Sequence, residues 1–182
     1  MRATLQCLAI MLTVTLFARA GAAGSLVGVD AMSSTVFQHD QSSFSGLALR
    51  LRLAPAPGLT GFEVLPGIEY WRNGTTLQIY DIRSQRRDAT LGADLRYRFP
   101  TTGWSPYLGA GFAIHFLSSE VRAPLLGVPD ESHSIMKGGL DVLGGLTFPL
   151  AGKFDSFLEG KYHFVSDYEQ FKLSWGLAYN IH

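Results

Sequence analysis

The segment ATLGADLRYRF, residues 89–99, alternates in polarity at every step. Its odd-numbered residues are apolar, and the residues between them include Asp94, Arg96 and Arg98. Because successive side chains of a β-strand point to opposite faces, this segment predicts a strand with one apolar and one charged face. The class of fold then depends on which of these two faces is turned outward.

The two-faced pattern recurs along the chain and predicts eight strands. Most of these segments are about 10 to 14 residues long, whereas about 9 to 11 residues of a tilted strand cross a bilayer. The predicted strands cover residues 25–34, 43–54, 60–72, 86–99, 105–118, 134–149, 154–165 and 170–181.

The connections between these strands alternate in character. One set is short and rich in proline and glycine, which is typical of tight turns. The other set is more polar and mostly longer, and it comprises 33–42, 72–88, 118–133 and the short 165–170. Barrels of bacterial outer membranes have short periplasmic turns and longer extracellular loops. Part of 75–83 also alternates, which predicts a hairpin extended above the membrane rather than a further strand.

The charged face of the predicted sheet is nearly balanced in sign. Unpaired charge in a narrow interior would cost several kcal/mol per ion, but charges of mixed sign can pair. Small residues fill most of the remaining positions and leave room for long side chains, as an eight-stranded barrel requires. We therefore expect a charge network in the lumen, made of Asp30, Arg50, Arg52, Glu63, Glu69, Asp88, Asp94, Arg96, Arg98, Asp141, Glu159, Lys161 and Lys172.

The apolar face is then expected to meet lipid, because closing the sheet satisfies every backbone hydrogen-bonding group without water. The predicted lipid-facing residues include Leu47, Leu49, Leu51, Leu95, Phe112, Ile114 and Leu177. Aromatic residues of such barrels form girdles at the two membrane interfaces. The predicted girdle comprises Tyr70, Tyr97, Phe99, Tyr162, Phe164, Phe171, Trp175 and Tyr179.

The first 22 residues predict a cleaved secretory signal. Arg2 precedes an apolar run, and small residues at 20–22 resemble a signal-peptidase site. The remaining chain, 23–182, predicts one domain, and none of it approaches the 18 consecutive apolar residues of a helical span. The single cysteine, Cys7, falls in the leader, so no disulfide or thiolate metal site is expected.

Charge gives no support for nucleic-acid binding. Of the 15 basic residues, Arg2 and Arg19 fall in the leader, so 13 basic and 15 acidic residues remain, a formal charge of −2. A nucleic-acid-binding domain is expected to carry a basic field instead. We expect no cofactor.

Three stretches resemble the small eight-stranded outer-membrane β-barrels, the broad group related to the transmembrane domain of outer membrane protein A. They are WSPYLGAGFAIHF (104–116), GGLDVLGGLTFPLAGKFDSFLEGKYHFV (138–165) and LSWGLAYNI (173–181). The resemblance implies an all-β, eight-stranded antiparallel transmembrane barrel with up-and-down meander topology, in the outer membrane of a Gram-negative bacterium. It also implies insertion by the barrel-assembly machinery, which reads a C-terminal aromatic residue. Here Ile181 takes that place and His182 follows it.

A lipid A-modifying hydrolase is an alternative function, because some barrels of this size are enzymes. The lipid A deacylases carry His-x-Ser-Asn on a late strand, and the nearest match is His163, Ser166 and Asp167. Residues three apart lie on opposite faces of a strand, whereas a nucleophile and its base must lie within about 3 Å. A polar cluster, DESHS at 130–134, includes His133 and is typical of exposed loops. We expect no catalytic residue and, because His39, His115 and His133 lie on separate segments, no metal site.

Other partners are expected at the cell surface. Arg83, Arg86 and Arg87 have the charge and reach to contact lipopolysaccharide phosphates, although they also fit a solvated loop tip. The sequence identifies no surface ligand.

A secreted lipocalin-like binding barrel is a further alternative, which requires the apolar face to point inward. A barrel of eight strands is not expected to form a wide pore. Ion conduction along a narrow path through the charged lumen is another alternative.

Overall fold

The computed structural model describes residues 25–38, 43–55, 59–77, 82–123, 128–165 and 169–181. The predicted signal over residues 1–22 lies outside these ranges, as do His39, Ser166, Asp167 and His182. Within them the backbone forms strands and turns, and no helix long and apolar enough to cross a membrane is found.

Eight strands account for most of the described chain. Alternating polarity produces them, since each strand buries one row of side chains and exposes the other. Their bounds are β1 (Ser25–Gln38), β2 (Phe44–Ala54), β3 (Phe62–Leu77), β4 (Ile82–Arg98), β5 (Ser105–Ala123), β6 (Val128–Ala151), β7 (Phe154–Val165) and β8 (Gln170–Asn180).

Each strand pairs with its neighbours in sequence, and β1 pairs with β8 to close the sheet. All eight pairings are antiparallel. The predicted fold, a closed eight-stranded antiparallel meander, is therefore confirmed. Closure leaves no strand edge with unpaired backbone groups, which is the condition for burying a sheet in hydrocarbon.

Several strands are longer than their sequence patterns predict. The first connection is predicted to begin at residue 33, yet β1 continues to Gln38. β5 and β6 extend to Ala123 and from Val128, well into the predicted connection 118–133. Backbone pairing continues there without an apolar face, so the pattern that defines a half-buried strand is absent. The predicted hairpin extension within 75–83 is present, since Leu77 pairs with Ile82 at its described end.

The short connections lie at the end of the barrel opposite these hairpins. Gly103 and Gly152 have φ values of 91° and 59°, a region that L side chains rarely adopt, and they allow the chain to reverse after β4 and β6. Trp104 and Phe148 pack edge to face beside these turns, with ring centroids 4.9 Å apart. We call this end the turn end, and the end with the extended hairpins the loop end.

Candidate functional site: a charged lumen within an apolar wall

The turn-end half of the lumen holds a network of buried arginines and carboxylates. Asp30 is fully buried and forms ion pairs with Arg52 at 2.9 Å and with Arg50 at 3.5 Å. Arg50 also lies 2.7 Å from Glu159, on the far side of the lumen. Glu63 completes the network by pairing with its three neighbouring arginines, Arg96, Arg98 and Arg52. Opposite charges thus compensate one another where water is excluded.

Aromatic rings fill the space around these ions. The hydroxyl of Tyr107 donates to Glu159 at 3.1 Å, and the ring of Tyr107 lies 4.7 Å from the guanidinium of Arg96. The ring of Phe157 lies 5.5 Å from the guanidinium of Arg50. Such cation–π contacts gain strength when the partners are desolvated.

A second ionic group occupies the middle of the lumen. Lys161 lies 2.6 Å from Asp94 and 3.3 Å from Glu69, and Lys172 also pairs with Glu69. Arg50 lies 4.0 Å from Asp94 and joins this group to the network at the turn end. The charged lumen residues therefore form a continuous column along the barrel axis.

Two histidine–aspartate pairs lie nearer the loop end. His115 Nδ1 is 2.8 Å from Asp88, and His163 Nδ1 is 2.6 Å from Asp141. The two imidazole rings contact each other edge to face, with centroids 5.2 Å apart. All four side chains are buried, so the pairs extend the polar column towards the loops.

An apolar cluster closes the column at the loop end. Val36, Phe44 and Trp71 are buried together, and the rings of Phe44 and Trp71 lie 4.4 Å apart. We call these three residues the loop-end plug. Val36 lies in what the sequence predicts as a connection, so the sequence pattern does not predict this cluster. For Trp71 it does predict the inner face, where the side chain lies.

Little space is left around the ionic group in the middle of the lumen. The lumen cavity beside Arg50, Glu69 and Lys161 has a volume of about 10 Å³, which is room for one water molecule. Glycines make this packing possible. A Cβ atom added at Gly67 would lie 2.6 Å from Cγ of Arg50, and one at Gly145 would lie 2.5 Å from the ring of Tyr107.

The outer wall carries apolar side chains where the lumen carries charged ones. Leu47 is 68% exposed, Leu95 is 50% exposed, and Ile114 is partly covered by its neighbours on the same face. The other residues predicted to face lipid are also exposed, namely Leu49, Leu51, Phe112 and Leu177. Burial is therefore the reverse of that in a lipocalin-like barrel, which needs its apolar face inside.

Most of the predicted girdle lies near the strand ends. Tyr97, Phe99 and Tyr179 are at the turn end, where Tyr97 and Phe99 pack edge to face at 5.0 Å. The predicted residues nearer the loop end are Tyr70, Tyr162, Phe164 and Phe171. Trp175 differs, because it lies in the middle of β8. Its indole N–H donates to Ser156 Oγ at 2.9 Å, so its polar group is satisfied without interfacial water.

The candidate catalytic residues do not assemble within the described chain. His163 pairs with Asp141 in the lumen, and its proposed partners Ser166 and Asp167 lie outside the described residues. His115 Nδ1 lies 2.8 Å from Asp88 and 3.0 Å from Thr90. Of the cluster at 130–134, the side chains from residue 132 onward are exposed. No group of three metal-binding side chains occurs among the residues described.

The three arginines predicted to contact lipopolysaccharide lie on β4 at the loop end. Arg86 and Arg87 are exposed, and strand alternation places Arg87 on the outer face beside Arg72 of β3. The backbone of Arg83 pairs with that of Arg122, and its side chain is outside the described part. Arg72 is not among the predicted candidates, because it becomes a neighbour of Arg87 only through the strand register.

Comparisons with known proteins identify relatives by structure alone. No protein-family model matches the chain, and no curated protein is similar in sequence. Neisserial surface protein A (NspA) superposes with a TM-score of 0.64 at 18% identity, covering 87% of this chain and 99% of that one.

Two further structures give similar results. A major outer membrane protein from Thermus thermophilus has a TM-score of 0.62 at 14% identity, covering 85% of this chain and 99% of that one. Ail, the attachment invasion locus protein of Yersinia pestis, solved with the heparin analogue sucrose octasulfate, has a TM-score of 0.60 at 17% identity, with 87% and 98% covered. The chain therefore has the fold of the small eight-stranded outer-membrane β-barrels, as its sequence predicts.

Proposed function

We propose that this protein is an integral outer-membrane barrel that crosses the bilayer, with a side-chain-filled lumen and a structural or surface-interaction role. The observation that carries the proposal is the inverted distribution of polarity. Arg50, Asp94 and Glu159 are at most 3% exposed, whereas Leu47, Leu140 and Trp175 are at least 61% exposed. In water such an apolar wall would be prone to aggregation, whereas in a bilayer the acyl chains of the lipid solvate it.

The orientation follows from the asymmetry of the two barrel ends. Extended hairpins lie at one end and tight turns at the other, and outer-membrane barrels place their longer loops outside the cell. The loop end is therefore extracellular in this proposal, and both chain termini lie on the periplasmic side. Export depends on the predicted signal at 1–22, and insertion depends on the barrel-assembly machinery.

The proposed role is not catalytic. The lumen has no room for a substrate beside Arg50, Glu69 and Lys161, where the cavity is about 10 Å³. The histidines of the lumen are engaged with buried aspartates. Interaction through the extracellular hairpins suits a barrel whose interior serves as a rigid core. Ail, a barrel of this fold, was solved with a sulfated carbohydrate, which supports such a role for the exposed end.

The proposal is tested by fractionation of cells that express the full chain, followed by electrophoresis with and without boiling in detergent. A membrane barrel resists unfolding by detergent at room temperature, so the unboiled protein should migrate differently from the boiled one. We expect the mature chain in the outer-membrane fraction, shortened by the signal and heat-modifiable. A protein that stays in the soluble fraction and shows no shift would contradict the proposal.

A further inference from the structure

We infer that the outer wall carries a binding site for lipid A, in which Arg72 and Arg87 hold a phosphate above an apolar groove that seats the acyl chains. This inference rests on the proposed membrane orientation and deepens it. The two arginines lie directly opposite each other on β3 and β4. Their sequence neighbours Trp71 and Asp88 are buried in the lumen, so alternation directs both arginines to the outer face.

The arginine pair is arranged to hold an anion. Cβ atoms of residues directly opposite in an antiparallel pair are about 5 Å apart, and like charges there destabilise the sheet. Among the described residues, no carboxylate forms an ion pair with either arginine. Arg87 donates to the neutral side-chain oxygen of Gln85 at 3.2 Å, which orients it without neutralising it. A phosphate between the two guanidinium groups would relieve the repulsion and accept charge-assisted hydrogen bonds.

An apolar groove of about 770 Å³ begins directly below this pair. Tyr70 and Ala89, the next opposite pair on the outer face, line it, and the following pair, Ile68 and Leu91, lines it too. Each such step is about 7 Å along the strands. Headgroup and acyl contacts would therefore be separated by the short distance that a single lipid molecule spans.

The groove is broad as well as apolar. It extends from β8 through β1, β2, β3 and β4 to Phe116 on β5. Its floor is shallow where side chains are small, at Ala31, Ser33 and Ala89, and the exposed side chain of Trp175 rises beside it. Six of the eight strands contribute to it, so the groove follows the curved wall around more than half of the barrel, an arc of about 24 Å at about 4.8 Å for each of five inter-strand spacings.

An arc of this length favours lipid A over a phospholipid, because several acyl chains can spread around the wall. A phospholipid has two chains and would cover less than half of the groove, whereas lipid A carries several chains on one phosphorylated sugar. The groove starts one step below the arginine pair at the loop end and reaches the middle of the wall at Leu49 and Trp175, so the proposed orientation places its upper part in the outer leaflet. Lipid A is the lipid of that leaflet in Gram-negative bacteria that make lipopolysaccharide.

The test uses the purified full chain in detergent micelles and native mass spectrometry. The probes are lipid A with both phosphates, the same lipid A after removal of its phosphates, and phosphatidylglycerol. We expect one phosphorylated lipid A per barrel, bound in preference to the other two. The double variant Arg72→Gln/Arg87→Gln should weaken this binding by at least about tenfold, the loss expected for one hydrogen bond to a charged group.

Two matched controls separate the site from general effects of charge and bulk. Lys153→Gln removes one positive charge at the turn end, remote from the arginine pair, and should leave binding unchanged. Ala89→Trp fills the groove and should weaken binding, whereas Ala93→Trp, on the same face and strand but outside the groove, should not. Equal binding by the double variant and Lys153→Gln would overturn the site, as would equal binding of dephosphorylated lipid A or phosphatidylglycerol.

The gel shift on boiling is recorded for every variant, which separates the two proposals. A shift in all variants, together with no preference for phosphorylated lipid A, overturns the site and leaves the membrane barrel standing. A wild-type chain that shows no shift and does not enter lipid vesicles overturns the proposed function, and the site with it.

Discussion

Arg50 of β2 donates two hydrogen bonds to Glu159 of β7 across the lumen, with Nη1 2.7 Å from Oε1 and 3.0 Å from Oε2. The two residues are 109 positions apart, and neither is more than 2% exposed. A pair so deeply buried cannot exchange its partner for water. The lumen is therefore stabilised by complementary charge rather than by an apolar core.

The first prediction concerns this pair. Arg50→Met should destabilise the barrel by about 3–5 kcal/mol, because it leaves the buried carboxylate of Glu159 without its ion-pair partner, whereas Asp30 keeps Arg52. Arg50→Met/Glu159→Leu should recover part of that loss, since the second change removes the unpaired carboxylate. Reversible urea unfolding in lipid vesicles, monitored by tryptophan fluorescence, gives both free energies.

Arg122 and Glu120 on β5 provide the matched control for that pair. They also form an ion pair, but Arg122 is 57% exposed. Exposed pairs contribute about 0–1 kcal/mol, so Arg122→Met should change the free energy of unfolding by no more than that. A loss for Arg50→Met no larger than that for Arg122→Met would refute the compensated network.

The second prediction concerns the glycines that admit long side chains. Gly67→Ala should destabilise the barrel by about 1–3 kcal/mol, because its Cβ would lie 2.6 Å from Arg50 Cγ. Gly138→Ala is the control, since a Cβ there meets nothing within 4 Å. The control should be neutral or slightly stabilising, and the same unfolding experiment measures both. Equal free energies for the two variants would show that the lumen has more room than the contacts of Gly67 allow.

The sequence predicts which side chains face the lumen and which face outward. It does not predict their contacts, for a physical reason. Alternation places Asp94, Arg96 and Glu159 inside and Leu95 outside without knowledge of any partner. Which acid meets which base depends on the stagger of the closed sheet, which local polarity does not encode. The stagger of the sheet decides that Arg50 meets Glu159. It also places Arg72 beside Arg87.

The strand ends and the loop-end plug escape prediction for a related reason. Ser118 and Ser134 pair in the β5–β6 hairpin, but their neighbourhood lacks an apolar row, so the pattern does not distinguish strand from loop. The burial of Val36 is also missed, because the predicted first strand stops before this residue. For Trp175, spacing alone predicts a place at the interface, whereas the position of β8 along the barrel axis decides its depth.

The third prediction concerns conduction. The lumen is filled by the ionic column and closed at the loop end by Val36, Phe44 and Trp71. Planar-bilayer recordings of the purified barrel should therefore show no steady ionic conductance. Trp71→Ala should lower the free energy of unfolding by about 3–5 kcal/mol and should still conduct nothing, because the column below it is unchanged. A steady open level in the wild type would contradict a filled lumen.

The fourth prediction concerns depth on the outer wall. Leu49→Arg places a charge in the middle of the apolar wall and should cost about 2–4 kcal/mol of stability in a bilayer. Leu59→Arg, at the turn end, should cost about 0–1 kcal/mol, because its side chain reaches the interface. Unfolding in vesicles measures the difference. Equal costs at the two positions would indicate that this wall does not lie in hydrocarbon.

The central claim, that the apolar wall faces lipid and the lumen does not, is tested most directly by quenching with brominated acyl chains. The chain has three tryptophans, of which Trp175 is 61% exposed on the wall and Trp71 is 2% exposed in the lumen. Two variants that each retain one of these residues are inserted into vesicles of brominated lipid. We predict strong quenching of Trp175 and little quenching of Trp71. Equal quenching of the two, or stronger quenching of Trp71, would contradict the account.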